Sequence, residues 1–420
     1  MNGNDMAKLK ALAEEYLEFI DQFSGMFVRR EEALLLVKYA LLIRQHLLYF
    51  GPPGTSKTAL CDTIYSAITD TQKFSTELTA FMTETNIFGP YDVKVLREQG
   101  SMIHRTRGML PEAEFARLGE LLDANPQTLR SLLGAMNERR MMRGEQQLQL
   151  PLKTVYCDTN KDPGEYIRRN PDSFAVLDRI LFIGQLGYLS DAGDVKEMVV
   201  RFQRGKTTQV KKTISASVID ALSRFIVLPP GLITDETIMD TYAEAVAEYR
   251  KQRQKMSEED KKQFILPEIS DRRVCYASQL LEAEAILDGR TEARIDDLQA
   301  AGIVLCTSPA EHALWDKIAE THVQVHKQNE KAQTSTAQGL AIKGILDQLH
   351  QKVLQAPANT PAKEVGHTLQ VLSKQLASIS PNDPAVQKLQ EGAKTEFAEA
   401  LESVQKRVLA ESGVTKLHFS

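Results

Sequence analysis

Cysteine is sparse and dispersed in this 420-residue chain. Its four copies, Cys61, Cys157, Cys275 and Cys306, lie far apart with no CxxC pair. This spacing fits reduced thiols acting as small hydrophobes rather than a disulfide framework. Long apolar runs are missing too: no stretch approaches the roughly 18 apolar residues that span a bilayer. The segment from Met1 to Phe19 lacks the basic start and unbroken apolar core of a secretory signal. The expectation is a cytoplasmic protein with no membrane partner. Charge of one sign is not in excess either. A net charge of −5 and the lack of a basic-aromatic tract argue against nucleic acid as the main partner. No nucleophile elbow, HExxH site or Cys–His pair stands in recognisable context. His322 and His326 lie four apart on a predicted helix, but no carboxylate or cysteine cluster completes a metal site, so they read as ordinary helix-surface residues. No repeat with a period of about 20–50 residues is visible.

What is present is ordinary globular composition, 42% hydrophobic and 25% charged. At about 100–200 residues per domain the length suggests two or three domains. Apolar residues at helical spacing predict helices over 5–20 and 28–44. The run His46 to Phe50 then reads as a buried strand ending in Gly51-Pro52-Pro53-Gly54. From there to about residue 190, strand-like runs (73–77, 154–157, 179–183) alternate with helical ones (59–67, 126–136), which is the signature of a parallel sheet wrapped by helices. Residues 193–310 read as almost wholly helical. After Trp315 only two aromatics, Phe397 and Phe419, and one arginine, Arg407, remain. Three helices are expected there, over 316–354, 361–379 and 384–410, with Thr360 and Asp383 as N-caps before proline. Val365, Leu369, Leu372, Leu376 and Ile379 form a short heptad seam on the middle one. The expected fold is α/β: a parallel-sheet domain over 1–190, an α-helical domain over 191–312 and a helical appendage over 313–420.

The chemistry concentrates in Gly51-Pro52-Pro53-Gly54-Thr55-Ser56-Lys57-Thr58-Ala59. Phosphates need backbone N–H groups aimed at them and a helix N-terminus behind them, and Gly51 and Gly54 permit the close approach. Lys57 would reach the terminal phosphates of ATP, and the Thr58 hydroxyl would ligate Mg²⁺. Ser56 stands where the general pattern has its last glycine.

A series of motifs follows in order. They are Ile87-Phe88-Gly89-Pro90-Tyr91, Gly108 to Glu114, Ala124-Asn125-Pro126 and Leu132 to Arg139. Together they resemble the MoxR family of AAA+ ATPases, and in particular its RavA-like branch, from about residue 25 to 310. The helical tail does not resemble the RavA insertion domain. The resemblance implies that Asn160 is the sensor-1 residue that orients the attacking water. It makes Arg179 the arginine finger reaching a neighbouring subunit's phosphate, and Arg272 the sensor-2 residue of the lid. It also implies a hairpin-bearing insert around 88–108, where Arg97, His104, Arg105 and Arg107 form either a substrate-touching tip or a solvated basic face. A hexameric ring and a partner with a von Willebrand A domain are implied as well.

At one point the chain departs from the family. The strand that should end in Asp-Glu ends in Gly119-Glu120, and Arg117 interrupts its apolar run. A buried guanidinium is costly unless paired. Three readings follow. Mg²⁺ is held by Thr58, phosphates and water alone; Asp123 or Asp158 substitutes; or ATP is bound structurally. With Lys57, Thr58, Glu120, Asn160, Arg179 and Arg272 all present, slow but real hydrolysis is expected. A nucleotide-gated scaffold is the alternative, and a DNA-acting motor is disfavoured by charge.

Overall fold

The computed structural model describes residues 3–143, 145–204, 210–227, 234–357 and 360–412. It divides into two compact units, Met1–Val323 and Gln324–Ser420. In the first unit helices α1 (Gly3–Asp21) and α2 (Glu31–Leu42) precede strand β1 (Leu47–Phe50) and helix α3 (Lys57–Ser66). Eight further strands follow: β2 (Ile68–Thr69), β3 (Lys73–Glu77), β4 (Phe115–Gly119), β5 (Arg140–Arg143), β6 (Gln146–Gln149), β7 (Thr154–Thr159), β8 (Phe182–Gln185) and β9 (Ile214–Ser215).

The central sheet is five-stranded and parallel in the order β3-β4-β7-β1-β8. Strands covered on both faces need continuous apolar runs, and Leu47, Leu48, Tyr49 and Phe50 are all buried. The chain leaves β1 toward β3 on one side and later returns to place β8 on the other. Ligands bind beyond the carboxyl ends of parallel strands at such a reversal. The expected strand over 179–183 starts later, at Phe182, because Asp178 and Arg179 form a turn after the short helix Phe174–Leu177 and Ile180 and Leu181 lead from it into the strand.

Helices around the sheet start where cap chemistry allows. Asn125 accepts from the Thr128 amide at 2.8 Å, with Pro126 at the first helical position, and Asp162 does the same for Glu165 at 2.8 Å ahead of Pro163. The described residues from 192 to 323 are mostly helical, apart from β9, which pairs with β2. The helix Asp271–Leu287 is fastened by Arg273, whose buried guanidinium donates to the carbonyls of Ile180 (2.9 Å), Leu181 (2.5 Å) and Val304 (2.7 Å). That fan holds the preceding residues, Ser270 and Arg272, beside the end of the sheet.

Two local expectations are corrected. The excursion between Phe88 and Gly108 is closed by an antiparallel bridge between Tyr91 and His104, but it carries a short helix, Val93–Gln99, instead of hairpin strands. Asp92 caps that helix through the Lys94 and Val95 amides, which favours a helical turn over a strand. His104 is not on a basic face: it is buried, with Nδ1 2.6 Å from the Gly89 carbonyl oxygen. A hairpin does occur, unforeseen, at β5–β6, and Gln146 there meets the His104 backbone with both amide atoms.

The second unit contains the end of a long helix, Pro309–Leu349, which runs into a π-type turn, His350–Leu354, and two further helices, Ala362–Ser378 and Pro384–Ser412. The heptad seam is its core: Val365, Leu369, Leu372 and Leu376 pack with Ile342, Leu349, Phe397 and Ala400. Asp383 caps its helix through Ala385 at 2.8 Å, as the sequence suggests. Thr360 does not, because the helix begins one residue later and Pro361 occupies the cap position.

Candidate nucleotide site

The segment after β1 folds as a phosphate loop. Gly51 has φ +145°, and a Cβ there would meet the Leu186 carbonyl oxygen at 2.1 Å, so only glycine lets the loop pass β8. Gly54 (φ +79°) and Ser56 (φ +68°) are both left-handed. Ser56 adopts the conformation that the general pattern assigns to glycine. That costs about 1–2 kcal/mol in an L-residue. The strain is held from outside the loop: Arg30 donates to the Gly187 carbonyl at 2.9 Å and the Thr55 carbonyl at 3.4 Å, and the Tyr188 hydroxyl donates to the Pro53 carbonyl at 3.0 Å. Neither Arg30 nor Tyr188 carries a sequence signal, because their contacts span 25 and 135 residues.

Lys57, at the first turn of α3, is buried and curls back over the loop. Its Nζ donates to the carbonyls of Gly51 (2.7 Å) and Pro52 (2.9 Å) and to Asn160 Oδ1 (3.0 Å). Burial lowers the Lys57 pKa, which the charges of Asp158 and Glu120 counter. Thr55, Ser56, Thr58 and Ala59 surround it, the last three exposed at the helix N-terminus where phosphate oxygens would bind.

Asn160 follows β7 and Glu120 follows β4, so adjacent strand ends bring them together. Asn160 Nδ2 donates to Glu120 Oε1, and the Asn160 amide donates to Oε2 at 3.3 Å. Glu120 itself is left-handed (φ +52°), a strained conformation that holds the carboxylate at the mouth of the site. Burial raises its pKa from the ordinary glutamate value, the Asn160 amide opposing the shift and Asp123 and Asp158 adding to it. Lys57, Asn160 and Glu120 thus form a continuous polar chain from the phosphate loop to a candidate water-activating carboxylate.

The neighbouring strand ends hold a different arrangement. Arg117 pairs in register with Ser75 and Tyr156, and Glu77 with Gly119, so alternation puts Glu77, Arg117, Gly119 and Asp158 on one face. Arg117 is 5% exposed, and its Nη2 lies 2.9 Å from Asp158 Oδ2, 2.7 Å from Glu77 Oε1 and 3.2 Å from Thr58 Oγ1. Burial disfavours its charge, but the hydrogen bonds and charges of Glu77 and Asp158 outweigh that and raise its pKa. A Cβ at Gly119 would lie 1.9 Å from Glu77 Oε2, so the Glu77 carboxylate fills the space an aspartate side chain would need.

The donor set therefore does not fit a divalent metal. The Thr58 hydroxyl accepts from a guanidinium, Asp158 is committed to the same group, and Asp123 is 2.5 Å from Lys161 Nζ. Among the described residues no cluster of three or more His, Cys, Asp or Glu side chains could hold a metal ion. Sequence reasoning noticed Arg117 and Gly119 but missed Glu77; a charged residue at the end of a strand beside a buried arginine was the available signal.

Arg179 and Arg272 form a second cluster around Asp178. Arg272 Nη1 is 3.3 Å from Asp178 Oδ2, and Ser270 Oγ donates to Asp178 Oδ1 at 2.7 Å. Arg179 donates to the Ala175 carbonyl, its buried Nε has no partner, and burial together with the Arg272 charge lowers its pKa. Among the described residues no hydrogen bond joins this cluster to Lys57, Asn160 or Glu120.

A parallel sheet reversed at a phosphate loop and followed by a helical lid defines the chain as a P-loop protein of AAA+ architecture. The family model described as the MoxR domain of the MoxR-vWA-beta-propeller ternary systems matches residues 14–224, and an AAA lid domain model matches 247–328. The chain belongs to the MoxR family of AAA+ ATPases. An uncharacterized protein of Methanocaldococcus jannaschii is 28% identical over 326 residues, 74% of this chain and 71% of the relative. A second from that organism is 32% identical over 162 residues, 39% of this chain and 42% of its own length. A structural protein of Acidianus two-tailed virus is 24% identical over 221 residues, 51% of this chain but only 35% of the viral one. The crystal structure of a candidate ATPase from Cytophaga hutchinsonii shares the fold, with TM-score 0.56, 19% identity, and coverage of 76% of this chain and 97% of that one. No helix among the described residues is long and apolar enough to cross a membrane.

Proposed function

We propose that the chain binds ATP at Gly51–Ala59, hydrolyses it slowly, and works in a ring, a hexamer by family analogy, that remodels or activates a partner protein. Residues 1–190 are the nucleotide domain in this reading, 191–312 the lid and 313–420 an appendage for partner contact. The partner bears a von Willebrand A domain, a reading supported by the description of the matched family. The observation that carries the proposal is the Lys57–Asn160–Glu120 chain, a cation for phosphate linked to a carboxylate for water. On binding, Lys57 exchanges its bonds to the Gly51 and Pro52 carbonyls for phosphate oxygens. Asn160 orients water, and Glu120 takes its proton. Arg179 supplies positive charge to a neighbouring subunit's nucleotide, and Arg272 acts from the lid.

Glu120→Gln tests this: ATP binding remains and phosphate release falls by about 10²–10⁴, the usual range for removing a general base. Equal turnover in both proteins would remove Glu120 from the role. The guanidinium beside Thr58 favours a second reading, a nucleotide-gated scaffold with negligible turnover. In that case wild type and Glu120→Gln both release no phosphate, while ATP still changes the oligomer mass measured by light scattering.

A further inference from the structure

Metal ions in phosphate-loop sites bridge phosphate oxygens and offset their charge, and a hydroxyl one residue past the lysine is their protein ligand. In this chain that hydroxyl, Thr58 Oγ1, has a guanidinium nitrogen 3.2 Å away. The guanidinium is not a passing visitor. Two of its nitrogens, Nε and Nη2, bond Asp158 Oδ2 at 3.1 and 2.9 Å, and Glu77 grips it from the other side at 2.7 Å. Arg117 and Asp158 side chains are 6% and 4% exposed, so neither can swing into water without leaving an unpaired charge in the interior.

Three positions are mutually dependent. Gly119 lacks a side chain, Glu77 uses the room that creates, and Arg117 has a carboxylate on each side because Glu77 is there. A divalent ion on Thr58 would have to take the place where the Arg117 Nη2 already faces the hydroxyl oxygen, and the two nearby carboxylates are turned to that guanidinium.

We propose that Arg117, clamped by Glu77 and Asp158, is a resident cation in the divalent-metal position, and that the chain binds nucleoside triphosphate without magnesium. The inference rests on the phosphate-loop reading of residues 51–59 and extends it to the ionic form of the ligand. Lys57 and the amides of the loop carry the phosphate contacts, and the Arg117 guanidinium occupies the place behind Thr58 that the ion would take.

The test is calorimetric titration of the full chain with ATP, once with EDTA and once with excess magnesium chloride. Dissociation constants within about threefold of each other are expected, whereas weakening of about tenfold or more in EDTA would overturn the proposal. Absence of binding under both conditions would overturn the phosphate-loop reading itself, and this inference with it. Arg117→Gln gives the converse. It frees oxygens of Thr58, Glu77 and Asp158, a hard donor set of the kind magnesium takes, so magnesium should raise ATP affinity in this variant and not in the wild type. If Arg117→Gln also binds equally with and without magnesium, Arg117 is not what replaces the metal. Should that variant not fold, the wild-type titration alone decides.

Discussion

Beside the phosphate loop, Lys57, Asn160 and Glu120 make a polar chain that reaches solvent, whereas Glu77, Arg117 and Asp158 make a charge cluster around a buried guanidinium, with only Glu77 exposed. Both arise from the same device, parallel strands ending level with one another. The difference lies in where the charge is satisfied. In the first, Lys57 rests on two backbone carbonyls that a ligand can replace, so its charge is available. In the second, one guanidinium is shared by two carboxylates, so the three side chains are committed to one another whether or not a ligand is bound. A site can therefore keep its phosphate-binding half while the metal half becomes structural.

The largest expected effect separates these halves by stability. Arg117→Met leaves Asp158 buried and uncompensated, which costs about 3–5 kcal/mol in urea unfolding. Replacing Asp158 with Asn in the same protein recovers a good part of that loss, because the unpaired charge is gone. A single-variant loss below about 1 kcal/mol would mean that the pair is solvated after all. Lys57→Ala should behave in the opposite way. The fold changes little, but ATP binding weakens by about 1.5–3 kcal/mol, the value of hydrogen bonds to a charged group. Titration calorimetry measures this, and unchanged affinity would detach Lys57 from the ligand.

A smaller effect concerns pH. Glu120 must be ionised to accept a proton, and burial raises its pKa above the usual value. Turnover is therefore present above the raised pKa and is lost as pH falls through it, so the acid limb of the rate profile lies above the ordinary glutamate value of about 4.3. A rate that stays flat down to that value would show that the carboxylate is solvated during turnover.

The contrast between the halves also marks what the sequence could convey. Gly51, Lys57, Thr58 and the strand before them are contiguous, and their geometry follows from local rules, so the loop was legible. Asn160 and Glu120 were placed by family resemblance, and sheet register accounts for their meeting. Arg117 was recognised as anomalous because it interrupts an apolar run, but its solution was hidden. Glu77 lies 40 positions away and is joined to it only by the pairing of β3 with β4. The excursion after Phe88 was misread for a related reason. Whether it forms strands or a helix turns on the Asp92 cap and on His104 packing under Gly89, neither of which periodicity reveals. In the tail a plain heptad seam sufficed to find the core, and only the cap at Thr360 slipped by one residue.

The smallest effect lies in the loop itself. Ser56 is left-handed with no side-chain cap bond to reward the conformation. The loop is held there by Arg30 and Tyr188 instead. Ser56→Gly removes the Cβ penalty, worth about 1–2 kcal/mol, but loosens the unfolded chain, worth about 0.4–1 kcal/mol in the other direction. The net gain expected in urea unfolding is therefore about 0.5–1 kcal/mol. ATP affinity should stay about the same, because strain already present in the free loop cancels between the free and bound states. A Ser56→Gly protein less stable than wild type would show that the serine hydroxyl, not the backbone, decides this position. In that event the loop would resemble the Arg117 cluster, where side chains hold the arrangement, more than the Lys57 chain it adjoins.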